Sequence, residues 1–290
     1  MSKFIFICVM VTALSVESQT TNLARLEYTH FPQSSSDNSF RRWRGFINIP
    51  LKIWNEDYLV PGFGYRNIEF EFEDPAPFDT DRLTSFQSVR TSLGYVTKLN
   101  ETWRLGVEAG LQIASDFQND KIERDDLLLI GSIFFIKTKD SSITQKKTRL
   151  ILGLRYSTAA GRPFPLPVVN FNKEVNDKWA YTLGAPKTAI KYTINKKNTL
   201  QAFITLDGFF ANLQNDLQLD DGQVADSMSM TIFWGGVGYE YYFTKNLLFF
   251  AYAGHTFIND IRLRDENTED IYTINQVNTA YVRGGFKFKL

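Results

Sequence analysis

The sequence predicts an all-β chain closed into a transmembrane antiparallel β-barrel of about 12 strands, with short turns at one end and long loops at the other. Three observations predict it. The last residues, YVRGGFKFKL, alternate apolar and polar side chains to the final position, the period of a strand with two unlike faces. Aromatic residues make up 15% of the chain, yet mean hydropathy is slightly negative, a mixture suited to a barrel with aromatic rims and alternating strands. Tight polar breaks (WNEDY, LNETW, KDSSITQKK, INKKN, FTKNL) alternate with longer polar stretches along the whole chain.

The elements follow in order. MSKFIFICVMVTALSVESQ has Lys3, an apolar run and then small polar residues, which reads as a signal peptide over 1–18. The run is too short for a membrane helix of about 20 residues. The only cysteine, Cys8, lies within it, so residues 19–290 are expected to form one barrel without thiol chemistry.

Segment 23–30 ends at FPQSSSDN. Segment 40–53 alternates cleanly, with Trp43, Ile47, Ile49, Leu51 and Ile53 opposing Arg42, Arg44, Asn48 and Lys52. Segment 58–72 changes parity near Arg66, as a β-bulge would make it do, and 84–98 runs to LNETW. In 103–115, Trp103, Leu105, Val107, Ala109, Leu111 and Ile113 oppose Arg104, Glu108 and Gln112. Segment 127–138 is apolar on both parities, and 148–157 leads into a long connection, 157–178. Segments 180–194, 199–210, 227–243, 247–258 and 278–290 complete the count. With both termini on the tight-turn side, the last strand closes onto the first and no edge remains.

Three stretches, SLGYVTKLNETWRLGVEAG (92–110), AGRPFPLP (160–167) and LQAFITLDGFFAN (200–212), resemble a domain-of-unknown-function family of Gram-negative outer-membrane β-barrels. The resemblance implies a barrel in the outer membrane, reached after export, and brings no catalytic residues. Outer-membrane lipid and the barrel-insertion machinery are the partners expected.

The chain has 32 basic and 32 acidic residues, a balance that argues against a nucleic-acid partner. The polar parity, however, collects Arg25, Arg42, Arg44, Lys52, Arg90, Arg104, Arg149, Arg155, Lys187, Lys191, Arg283, Lys287 and Lys289. Against these thirteen stand five acids, Glu27, Glu108, Asp116, Asp207 and Glu240, an excess of eight positive charges. A charge on the lipid face costs about 2–4 kcal/mol near the bilayer midplane, so these residues are expected to line the lumen. Such a lining favours small anionic solutes. The loop carrying Arg162, Pro163, Phe164, Pro165, Leu166 and Pro167 is long and apolar, and either constricts the mouth or caps the rim.

Other chemistry is weaker. An outer-membrane phospholipase needs a Ser beside a His base, but Pro32 stands two residues after His30 and the serines, Ser34 among them, lie in a polar loop. His255 falls on the parity read as opposite to that of His30, so the two histidines are not expected to share a metal. Asp216, Asp220, Asp221, Asp265 and Asp270, with Glu266 and Glu269, lack the spacing of a calcium loop and read as solvated. No enzyme, cofactor or metal site is expected. A narrow anion channel ranks first, a structural or partner-binding barrel working through its outer loops second, and a lipid-modifying enzyme third.

Overall fold

The computed structural model describes residues 22–32, 38–54, 56–140 and 146–289. The expected signal peptide, Ser34 and Leu290 fall outside the described residues.

Sixteen strand segments follow in chain order: β1 (Asn22–Phe31), β2 (Ser39–Asn48), β3 (Leu51–Trp54), β4 (Asp57–Glu71), β5 (Ser85–Lys98), β6 (Trp103–Ser115), β7 (Leu127–Asp140) and β8 (Lys147–Ser157) come first. They continue with β9 (Phe164–Glu174), β10 (Trp179–Ala185), β11 (Lys187–Asn195), β12 (Asn198–Gln218), β13 (Val224–Tyr242), β14 (Leu247–Arg264), β15 (Asp270–Asn275) and β16 (Ala280–Lys289). The described residues contain no α-helix, only one 3-10 turn, Thr80–Leu83, in which the Asp81 N–H donates to the Asp79 side chain.

Apart from β2 with β3 and β15 with β16, strands pair with their chain neighbours, and β1 pairs with β16 in antiparallel register from Asn22↔Lys289 to His30↔Val282. That pairing answers the alternation at the chain end: the wall closes on itself. β2 and β3 both lie against β4, on either side of Ile49 and Pro50, and β15 and β16 both lie against β14. Counting each such pair as one stave gives a closed antiparallel barrel of 14 strands.

The expected number was about 12, and two strands were missed for separate reasons. Segment 180–194 is a hairpin, β10 and β11, reversed at Gly184 and Pro186. Gly184 has φ +130, and a Cβ there would lie 1.8 Å from the Val169 carbonyl oxygen, so only glycine fits. The second miss corrects the constriction loop. Phe164, Pro165, Leu166 and Pro167 begin strand β9 and form part of the wall; only Arg162 and Pro163 remain in a connection. β10 ends at Ala185, opposite Val169, so the proline half of β9 pairs on its β8 side alone. Proline is tolerated at such an edge because it has no N–H to offer.

Outward side chains form an apolar band. Phe63 is 50% exposed, Leu93 52% and Val237 66%. Trp54, Trp179, Phe243 and Phe288 are exposed at the turn end. The bulge expected near Arg66 is absent: β4 pairs with β5 without a register shift from Tyr58↔Val96 to Glu69↔Ser85. Tyr65 faces out and Arg66, Ile68 and Phe70 face in. The lumen itself changes, from polar below Arg66 to apolar above it.

Candidate functional site

The interior has two halves, and β12 divides them. β12 pairs with β11 only as far as Thr205. Beyond it, β12 crosses toward β6 and meets it in parallel at Asn212↔Ser115, while remaining paired with β13. Strands β7 to β11 are thereby left out of the ring at the loop end, which is narrower and packed solid. Phe31, Phe40, Ile68, Phe86, Phe209, Met228, Met230, Ile232 and Trp234 are all buried there. Phe31 stacks on Phe40 at 4.1 Å between ring centroids, and Trp234 packs on Tyr281 at 4.4 Å. An interior at this packing leaves no room for a water column.

Polar contacts hold the crossing strand in place. Arg82 donates to the carbonyl oxygens of Asp216 at 2.6 Å and Gln214 at 2.9 Å. The Gln214 N–H donates to Asp116 Oδ1 at 3.0 Å, and its side-chain amide donates to Asp126 Oδ2 at 2.7 Å. Asn212 donates to Asp126 Oδ1 at 2.9 Å. Asn215 and Asp216 carry positive φ, which Asn and Asp accept more readily than other side chains, and let β12 bulge over this latch. Burial pushes the Asp116 carboxyl up from its ordinary range, and its Oδ2 has no hydrogen-bond partner.

Below the dry core lies a layer of arginines. Asp207 Oδ2 is 2.9 Å from Arg42 Nη2, 3.9 Å from Arg44 and 3.8 Å from Arg283, and its Oδ1 is 3.8 Å from Arg66. Glu27, fully buried, contacts Arg25 and lies 3.7 Å from Arg283. Arg66, which β4 alternation had left unassigned, also donates to the Gly208 carbonyl oxygen at 2.7 Å.

Nearer the turns, Glu240 serves three lysines. It is 2.9 Å from both Lys191 and Lys287 and 3.7 Å from Lys289, and Tyr252 donates to it at 2.7 Å. Lys187 sits between these layers, 3.3 Å from Gln201 Oε1 and over the Phe203 ring. On the facing wall Arg90 pairs with Glu108 at 2.6 Å, Arg104 lies 3.9 Å from Glu56, and Arg155 covers Phe134. Arg149 lies further down β8, and Lys52 is exposed at the turn-end rim. Arg44 and Arg90 each keep 34% of their side-chain surface exposed and Arg104 keeps 38%. Solvent thus reaches this half of the lumen. Arg162, by contrast, sits over Phe164 in the β8–β9 connection.

The expectation for the histidines needs correcting. Both face outward: His30 shares its parity with exposed Leu26, and His255 with exposed Ala251 and Ala253. The inward side of this strand is filled by Phe250 and Tyr252, so His255 lies on the same face of the wall as His30. β16 separates the two histidines, and the described residues hold no group of three or more His, Cys, Asp or Glu placed to bind a metal. Asp265 caps its own turn through the N–H groups of Asn267 and Glu269, and Asp270 pairs with Arg264 at 2.6 Å.

The family model described as a domain of unknown function (DUF6268) matches residues 73–289, and the chain belongs to that family. No curated protein matches it. Among solved structures, it is similar to the KdgM porin in complex with disordered oligogalacturonate, at 10% identity and TM-score 0.36, over 92% of this chain and 99% of that one. It is also similar to LpxR from Salmonella typhimurium (8%, TM-score 0.38, 92% and 100%) and to the NanC porin (11%, TM-score 0.37, 91% and 100%).

Proposed function

We propose that the chain is an outer-membrane channel for small anionic solutes, and that the latched conformation is its closed state. The observation that carries this reading is the surplus of inward cations, of which Arg44 and Arg90 reach solvent. Arg25, Arg42, Arg44, Arg66, Arg90, Arg283, Lys191, Lys287 and Lys289 share only Glu27, Asp207, Glu108 and Glu240. A charged passage with low-dielectric walls concentrates ions of the opposite sign. The exposed apolar band is the surface that membrane lipid would cover, and a closed barrel satisfies its backbone groups without water.

A second reading, a structural or partner-binding barrel, is favoured by the packed core at the loop end. Conductance in a planar bilayer separates the two. The channel reading expects discrete openings that become more frequent when the latch is weakened. A barrel silent with intact and weakened latch alike belongs to the structural class. The lipid-modifying alternative rests on His30 and Ser34; His30 faces the outer side, and Ser34 lies outside the described residues.

A further inference from the structure

We propose that the arginine layer around Asp207 is a binding site for a small multivalent oxyanion that enters from the turn end. The inference deepens the anion reading of the same lumen and rests on it for the identity of the ligand, though binding can be measured without transport.

The charge count comes first. Arg25, Arg42, Arg44, Arg66 and Arg283 surround two carboxylates, Asp207 and Glu27, which leaves three positive charges in one layer. Arg42 is 1% exposed and Arg283 6%. Buried cations of this kind are ordinarily matched by acceptors.

Unused donors come second. Arg42 Nε and Nη2, Arg25 Nε and Arg283 Nη2 are buried without a hydrogen-bond partner. Arg42 Nη2 is near Asp207 but out of line for a hydrogen bond, and Arg44, Arg66 and Arg283 stand 3.8–3.9 Å from the carboxylate. Asp207 therefore holds the group together without saturating it. Guanidinium forks match the oxygens of phosphate and carboxylate groups in pairs.

The donors are also fixed in place. The Arg283 guanidinium lies 3.8 Å from the Trp234 ring centroid, Arg42 lies 5.5 Å from it, and Arg66 is held over Phe209. Stacked arginines cannot turn toward one another's carboxylates without leaving their rings. Access is one-sided: the apolar core forms the ceiling, and Arg44, a third exposed, opens toward the vestibule. A lipid headgroup, tethered to acyl chains in the bilayer, does not reach a site inside the wall. The ligand is a free solute.

The test uses the full chain folded in detergent at low ionic strength, titrated with inorganic phosphate by calorimetry and tryptophan fluorescence. Trp54, Trp103 and Trp179 lie at strand ends on the turn side and Trp43 faces outward, so Trp234, against Arg283 and Arg42, is the tryptophan inside the layer. Saturable heat with a matching fluorescence change is expected, with chloride at equal ionic strength giving neither. Trp43→Phe, on the outer face, should leave both the heat and the optical signal unchanged. Arg283→Gln should weaken binding at least tenfold, and Arg44→Gln, at the solvent-reached rim, serves if that variant fails to fold. Arg41→Gln, on the outer side, should leave affinity within twofold. Absent saturation, equal heat with chloride, or unchanged affinity in Arg44→Gln overturns the proposal. Anion-selective currents without phosphate binding would sink this site and spare the channel; binding without currents would do the reverse.

Discussion

Asn212 on β12 stands directly across from Ser115 on β6, in parallel register, although strands β7 to β11 separate them around the turn end of the wall. That single bridge converts a wide barrel into a narrow, filled ring at the loop end. The proposed closed state rests on it.

A disulfide at this bridge should lock it. Cys8 is the only cysteine in the sequence, so Ser115→Cys with Asn212→Cys, made together with Cys8→Ser, leaves one pair. Bilayer currents should vanish under oxidation and return with a thiol reductant. Equal currents in both conditions would show that the crossing strand is not a gate.

Arg82→Ala removes the donors to Gln214 and Asp216. Hydrogen bonds to a charged donor contribute about 1.5–3 kcal/mol when buried, less at this partly exposed site. The expected results are more frequent openings and faster proteolysis at residues 214–216, measured against an unchanged wall by circular dichroism.

The latch should tighten as pH falls. The half-buried Asp116 carboxyl binds its proton more firmly in the latched form than when exposed, since burial disfavours the charged state. Its contribution is therefore complete below the ordinary Asp range and is lost as pH rises through the raised value. Open probability should climb with pH over that interval, and Asp116→Asn should flatten the profile. A fall in open probability with rising pH would contradict the assignment.

Trp234→Ala should destabilise the barrel by about 3–5 kcal/mol, the usual range for truncating a large buried aromatic. Trp234 is fully buried between Phe31 and Tyr281. The urea midpoint should fall, and an ion leak through the opened core should accompany it. A loss below about 1 kcal/mol would mean the core is not packed around this side chain.

Much of the wall was legible in the sequence, because a half-buried strand writes its faces in alternate residues. Trp43, Ile47 and Leu111 face outward, as their spacing implies. The lumen was harder. Where its upper half turns apolar, inward residues such as Ile68, Phe70 and Phe209 look like lipid-facing ones. The alternation at Arg66 then imitates a bulge. Strand β9 was hidden by prolines that only its one-sided pairing permits. The bridge from Asn212 to Ser115 had no signal in local pattern, since it depends on where β11 stops.

The most direct measurement is the reversal potential of single channels in a salt gradient across a planar bilayer. The basic vestibule predicts anion preference, fading at high salt as screening shortens the field. Arg44→Glu with Arg104→Glu should lower or reverse it while the barrel stays folded. Cation preference in the unmodified protein would contradict the account.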